Sequence, residues 1–266
     1  MDYITNNEPI LRLSAFFFFL LFIFTMESIF PIYRRSIKTY KRWLINFTFV
    51  FINTLALRLV FPILSVSFAA ICSQHNIGLL NYFNVSIWSA FILAFVLLDF
   101  GIWIQHFLFH HISFLWRFHK IHHSDEEVDF TTGVRFHPLE IIISMIYKLI
   151  LIAVIGPSVA LVIVFEITLN ASSIFNHGNI KISKSFDIFL RKLIVTPNMH
   201  RIHHSQEERE TNSNYGFNLS IWDKLFRTYK VNSKNRDNII TGLKELNNKK
   251  KSLYFLLLSP FKTSKE

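Results

Sequence analysis

"LVFPILSVSFAAICSQHNIGLLNYFNVSIWSAFILAFVLL" runs from Leu59 to Leu98 without one Asp, Glu, Lys or Arg. Its 40 residues exceed the roughly 20 apolar residues that one helical crossing of a bilayer needs. Of the whole 266-residue chain, 51% is apolar, and the mean hydropathy is positive. That composition excludes an ordinary soluble domain and leaves room for several spans. The chain reads as an integral membrane protein, and what flanks this stretch sets its organisation.

Towards the N-terminus, Ile10 to Ile29 forms a first span. Asp2, Glu8 and Arg12 precede or enter it without the basic start and small-residue cleavage site of a signal peptide, so it is expected to be a retained anchor. Arg34, Arg35, Lys38, Lys41 and Arg42 follow it and mark the cytoplasmic side by the positive-inside rule. A second span is expected from about Leu44 to Cys72, with the uncharged loop "SQHNIGLLNYFN" on the far side. A third, about Ser86 to Phe109, returns to a polar stretch from His110 to Pro138.

Leu139 to Ile174 is again apolar. One helix of that length would reach about 54 Å against a hydrocarbon core of about 30 Å. "IGPS", Ile155 to Ser158, interrupts it, because proline disfavours helical continuation. The spacing predicts a hairpin of two short helices, which keeps the histidines before and after it on one side. From Lys224 to Glu266 there are 11 Lys or Arg against 3 Asp or Glu, a balance suited to an anionic cytoplasmic leaflet. The expected fold class is all-α, a multi-pass helical bundle with a cytoplasmic histidine-rich cap. Three regions are expected: 1–85 with the N-terminal spans and basic linker, 86–230 with the cap, and 231–266 as a basic tail.

The cap carries the chemistry. "HKIHHS" begins at His119 and "HRIHHS" at His200, differing only at Lys120 and Arg201, and no longer repeat surrounds them. His106 and His110 stand at i and i+4; His119, His122 and His123 at i, i+3 and i+4; His200, His203 and His204 likewise. On helices these spacings put imidazoles on shared faces about 5–6 Å apart at Cβ. His177 joins them through the stripe Glu166, Asn170 and His177, whereas His137 reads as a neighbour of the site, and His75 and His111 as bystanders.

Eight or nine imidazoles exceed one tetrahedral ion. Shared between two ions they give four or five each, and the twin hexapeptides become two halves of one cage. The single Cys72 excludes a cysteine-based metal site and an intrachain disulfide. Imidazole suits iron, copper, zinc or nickel, and a reducing cytoplasm beside lipid favours iron and oxygen chemistry. Asp99 lies on the stripe Asp99, Trp103, His106 and His110, and is expected to accept an N–H from a ligand imidazole. A merely buried carboxylate is the alternative.

"DFGIWIQHFLFHHISFLWRFHKIHHSDEEVDFTTGVRFHPLE" (99–140) and "TPNMHRIHHSQEERETNSNYGFNLSIWDKLFRTY" (196–229) resemble the motif blocks of the fatty acid hydroxylase/sterol desaturase superfamily. That family's HX3H, HX2HH and HX2HH clusters fall on the eight histidines above, over roughly Ser86 to Tyr229. Phe107 stands where many members have Arg, and His111 is also atypical. The resemblance implies a di-iron catalytic domain over 86–230, two iron ions, O2 as co-substrate, a lipid substrate and hydroxylation or desaturation. It further implies a separate electron donor of cytochrome b5-, ferredoxin- or reductase-type; no nucleic-acid partner is expected. Trp103, Trp116 and Trp222 are candidates for the substrate wall, with interfacial packing as the commoner role for each; Asn170 is a candidate for contact with the ligands or the substrate, and Asp223, in "NYGFNLSIWD", for packing under the last cluster. A bacterial inner membrane is favoured over the endoplasmic reticulum. The competing reading is a metal transporter or sensor, whose ligands would line a path near the bilayer midplane.

Overall fold

A computed structural model describes residues 7–36, 39–83, 85–235, 238–247 and 249–262. Asp2 and Lys38 lie outside them. In chain order the longer helices are α1 (Glu8–Ile29), α2 (Thr39–Val60), α3 (Ser65–Gln74), α4 (Ile87–His111), α5 (Ser113–His123), α6 (Pro138–Ile155) and α7 (Val159–Asn176). Shorter ones follow as α8 (Lys184–Leu190), α9 (Pro197–His203), α10 (Ile221–Leu225) and α11 (Leu253–Leu258). Among the described residues there is no strand, only isolated bridges such as Pro31 with Ile180. Among the described residues, five stretches are long and apolar enough to cross a membrane: 8–29, 39–82, 87–111, 138–155 and 159–176.

The expected span from Leu44 to Cys72 is not one helix. α2 ends at Val60 and α3 restarts at Ser65, because Pro62 has no N–H to donate and pushes Phe61 out of the helical region. The apolar stretch from 139 to 174 is a hairpin, as its "IGPS" predicts. Gly156 caps α6 in the left-handed region at φ 72°, where a side chain would be strained, and the Ser158 hydroxyl caps α7 by accepting from Leu161 N–H. A Cβ on Gly78 would collide with the Gly156 backbone, so the two turns interlock at one end of the bundle.

Contacts along the bundle fix its register. Arg12 of α1 reaches Glu166 of α7 at 3.0 Å, and Ile23 packs near Ile174, so these helices run parallel. Tyr147 donates to the Gly101 carbonyl at 3.1 Å and Gln105 to Ser144 at 2.6 Å, so α4 and α6 run antiparallel. The C-terminal ends of α1, α4 and α7 and the N-terminal ends of α2 and α6 therefore meet at the same end, opposite Gly156. Outward-facing Phe17, Phe18, Leu59, Trp88, Ile92 and Ile150 give the bundle an apolar exterior.

The cap is pinned to that end by charge. Arg42 pairs with Asp125 at 2.9 Å and with Asp129, while buried Arg135 donates to the Ile121 carbonyl, Asn46 and Ser124. Glu27 accepts from the backbone N–H groups of Phe130 and Asn179, both at 2.8 Å, and from Arg35 at 3.0 Å. Two members of the basic linker are thus structural. The basic C-terminal region is docked as well: α11 buries Leu256 against Phe49 and Ile121. A fully buried leucine stabilises such a dock by about 1.5–3 kcal/mol.

Candidate metal centre

Nine imidazoles converge where α4, α5 and α9 meet the end of α7, and they sort into two groups. His106, His110, His119, His123 and His203 form one, and His122, His177, His200 and His204 the other, with ligand atoms inside each group within 4.8 Å of one another. The hexapeptides exchange members. His119 and His123, at i and i+4, serve the first group, while His122 turns to the second. His200 and His204 serve the second, while His203 turns to the first. Neighbouring helical residues point about 100° apart, so α5 and α9 are each wedged between the groups. That geometry gives the repeated spelling a purpose: each copy contributes two nitrogens to one group and one to the other.

Most rings are oriented through Nδ1. His106 donates to the Tyr215 carbonyl at 2.7 Å, His203 to that of Ser213 at 2.7 Å and His177 to that of Ser173 at 2.6 Å. His122 reaches the Arg135 carbonyl at 3.2 Å, and His119 the Glu140 carboxylate at 2.6 Å. With Nδ1 carrying the proton, Nε2 is left as a lone pair aimed inward. The Nε2 atoms of His106, His119, His123 and His203 are buried without a hydrogen-bond partner. In the other group the Nε2 atoms of His122, His204 and His200 stand 3.0, 3.0 and 3.1 Å from Nε2 of His177. Lone pairs that close repel unless a cation lies among them, and the donor set fits a metal ion.

Electrostatics agree. Burial first, then the neighbouring imidazoles, holds His122, His123, His200 and His204 well below the ordinary histidine range. Burial pushes His203 down to about 3 and His177 to about 4. All are neutral at physiological pH, the form that ligates metals. Asp125, close to Arg42 and Arg135, stays ionised below the usual carboxylate range despite its burial.

Other expected residues sit elsewhere. Asp99 does not meet an imidazole: its carboxylate accepts from Asn218 at 2.9 Å, Leu219 N–H at 3.2 Å and Trp222 at 2.8 Å. The acceptors for the imidazole N–H groups come from other segments, so the helical stripe alone misplaced it. His137 does not approach either group. It caps α6, accepting from Leu139 N–H, and its other nitrogen bonds the Leu257 carbonyl at 3.1 Å, because Pro138 sets it in extended backbone before the helix.

Trp103 stacks on Phe107 and Phe226 and donates to Asp223 at 3.1 Å. Asp223 is fully buried and also accepts the Tyr215 and Gly216 N–H groups, both at 2.8 Å, which fixes the turn whose carbonyl holds His106. Trp116 lies against His110 and His123, with ring centroids at 5.0 and 5.4 Å. His111 is exposed and belongs to neither group. The residue that sequence reasoning missed is Glu140, visible only as an acid in the first turn of an apolar helix.

A cavity of about 190 Å³ opens beside the five-histidine group, between α4, α6 and α7. His106 and His119 form one wall, with Gln105, Ser144, Lys148 and Asn170 further along and Ile102, Phe109 and Leu169 between them. Lys148 at its membrane end pairs with Glu166 at 2.8 Å, which also meets Arg12.

The model of the family described as "Fatty acid hydroxylase" matches residues 91–228. Human alkylglycerol monooxygenase is 29% identical over 155 residues, 56% of this chain and 32% of that protein. The ornithine lipid hydroxylase OlsE of Rhizobium tropici is 30% identical over 138 residues, 52% of this chain and 41% of that protein. The alkylglycerol monooxygenase of Caenorhabditis elegans is 30% identical over 138 residues, 50% of this chain and 25% of its own length. The chain thus spans well under half the length of these relatives. No solved structure matches significantly.

Proposed function

The chain belongs to the fatty acid hydroxylase family, and on that premise we propose that it is a membrane-bound, O2-dependent lipid hydroxylase working with two iron ions. The observation that carries the reading is the pairing of two buried all-nitrogen groups with a cavity that opens from one of them into the membrane-spanning helices. A lipid carbon can be presented there without leaving the bilayer. The relatives named above are hydroxylases and monooxygenases, which favours insertion of oxygen over desaturation.

His106, His110, His119, His123 and His203 would hold one iron, and His122, His177, His200 and His204 the other. Bound iron supplies the power to oxidise an unactivated C–H bond with O2, the sum being one lipid alcohol and one water for each O2, two electrons and two protons. The chain's own residues hold the imidazoles neutral and oriented, exclude water through the buried cap, and seat the substrate between α4, α6 and α7. The electrons come from a separate redox partner. The basic linker lies at the cap end, which supports a cytoplasmic site. A transport path is disfavoured because both groups sit at one end of the bundle.

Comparison of lipids from cells with the protein and cells carrying His122→Ala tests the proposal. A lipid heavier by one oxygen should appear only with the former. Equal lipid profiles from the two kinds of cell, with the parent protein purified from them carrying about two irons, would overturn it.

A further inference from the structure

The two hexapeptides differ only at their second residue, and those two cations have opposite surroundings. Lys120 pairs with Glu245 at 3.3 Å. Arg201 is only 7% exposed and, among the described residues, meets no carboxylate. Its one hydrogen bond among the described residues is a long contact of 3.4 Å from Nη2 to the Gly178 carbonyl, Nε has no partner among them, and the guanidinium lies over the Tyr33 ring at 5.3 Å. Glu27, the acid whose charge it feels, is already held by Arg35 and two backbone N–H groups. By contrast, Arg191 pairs with Asp187 at 2.8 Å, and Arg135 makes three hydrogen bonds beside Asp125. A guanidinium offers five N–H donors, and burying one unpaired is costly.

Arg201 borders space that can supply the missing partner. A groove of about 1110 Å³ lies on the cap between the end of α1, the start of α8 and α9. Lys181 and Lys184 stand at its rim, exposed and in no ion pair among the described residues, with Asn198 and Ser233 in its wall. Asp187 is also in the wall, but its carboxylate is engaged by Arg191 and by Thr196 at 2.6 Å. Among the described residues the free charge of the groove is therefore positive. Alongside, α8 turns Phe186, Ile188 and Phe189 outward next to Lys184, the pattern of a helix lying in a membrane interface.

We propose that this groove binds the phosphate of an anionic phospholipid headgroup, with Arg201 as its fork-shaped anchor and Lys181 and Lys184 at the rim. Phosphate matches the planar donors of arginine, and a headgroup at the interface reaches the groove without leaving the membrane. The site is separate from the cavity between α4, α6 and α7, and it does not depend on the catalytic reading.

Native mass spectrometry of the full metal-loaded chain in a neutral detergent tests this, with phosphatidylglycerol, phosphatidylcholine and inorganic phosphate titrated separately. Phosphatidylglycerol should bind in preference to phosphatidylcholine. Arg201→Gln should weaken it by about tenfold or more, the usual scale for losing a charged hydrogen-bond partner. Lys181→Gln should weaken it less, and Lys249→Gln, outside the groove, should not. Undiminished binding by Arg201→Gln, or an equal loss from Lys249→Gln, would overturn the site. Binding of inorganic phosphate without phosphatidylglycerol would overturn the lipid as its source. Bound metal is measured in every sample; where Arg201→Gln loses metal, Lys181→Gln decides, because its exposed side chain makes no other contact among the described residues, and undiminished binding by it overturns the site.

Discussion

Nδ1 of His119 lies 2.6 Å from Oε1 of Glu140, and among the described residues no other carboxylate touches an imidazole of either group. A carboxylate acceptor fixes the tautomer with the proton on Nδ1 and raises the basicity of the inward Nε2. Glu140→Gln keeps the shape but offers an N–H as readily as a carbonyl, which can force the opposite tautomer. Metal titration of the purified variant should show affinity lower by about 10–100-fold. An affinity equal to that of the parent chain would end this orienting role.

The exchange between hexapeptides makes a second prediction. The four-histidine group has no spare ligand, whereas the other has five. His177→Ala should therefore leave about one firmly held metal per chain, because three nitrogens fall short of a four-coordinate set. His110→Ala, from the larger group, should retain about two under the same dialysis. Equal losses from both variants would mean that the ions do not divide the ligands as the geometry does.

The sequence shows which histidines cluster but not how they divide. Spacing of i, i+3 and i+4 defines a helix face, yet the side on which each ring finds a neighbour depends on how α5 and α9 are wedged, a tertiary fact. Asp99 illustrates the limit. Seven residues before His106 it does share that helix face, but the His106 N–H goes to the Tyr215 carbonyl, on a segment more than a hundred residues away. Glu140 was equally hidden, since nothing local links it to His119. Pro62 was legible as a breaker in principle, but the long apolar run around it reads as one span.

For Asp99 the structure predicts a scaffold effect. Its carboxylate gathers three donors from the 218–222 segment, next to the Asp223-held turn at Tyr215. Asp99→Asn leaves at least one of these buried donors poorly paired, at a cost of about 1–3 kcal/mol. Thermal unfolding should shift downwards while metal affinity changes less than in Glu140→Gln. Normal unfolding together with metal binding as weak as that of Glu140→Gln would show that Asp99 acts on the ligands after all.

The cavity beside His106 and His119 gives the last prediction. Ser144 lies in its wall, accepting from Gln105 at 2.6 Å, and Ile146, two residues along the same helix, is 48% exposed on the outside of the bundle. Ser144→Phe places a ring in a space of only about 190 Å³. If a lipid carbon must rest there, the ring displaces it from the oxidising position, and a misplacement of about 1 Å can cost about 100-fold in rate. The metal ligands are untouched, so metal content should remain that of the parent chain while formation of oxygenated lipid falls by about that factor. Ile146→Phe adds the same bulk facing lipid and should change neither. Turnover by Ser144→Phe at the parent rate, with two metals bound, would move the substrate seat away from this cavity.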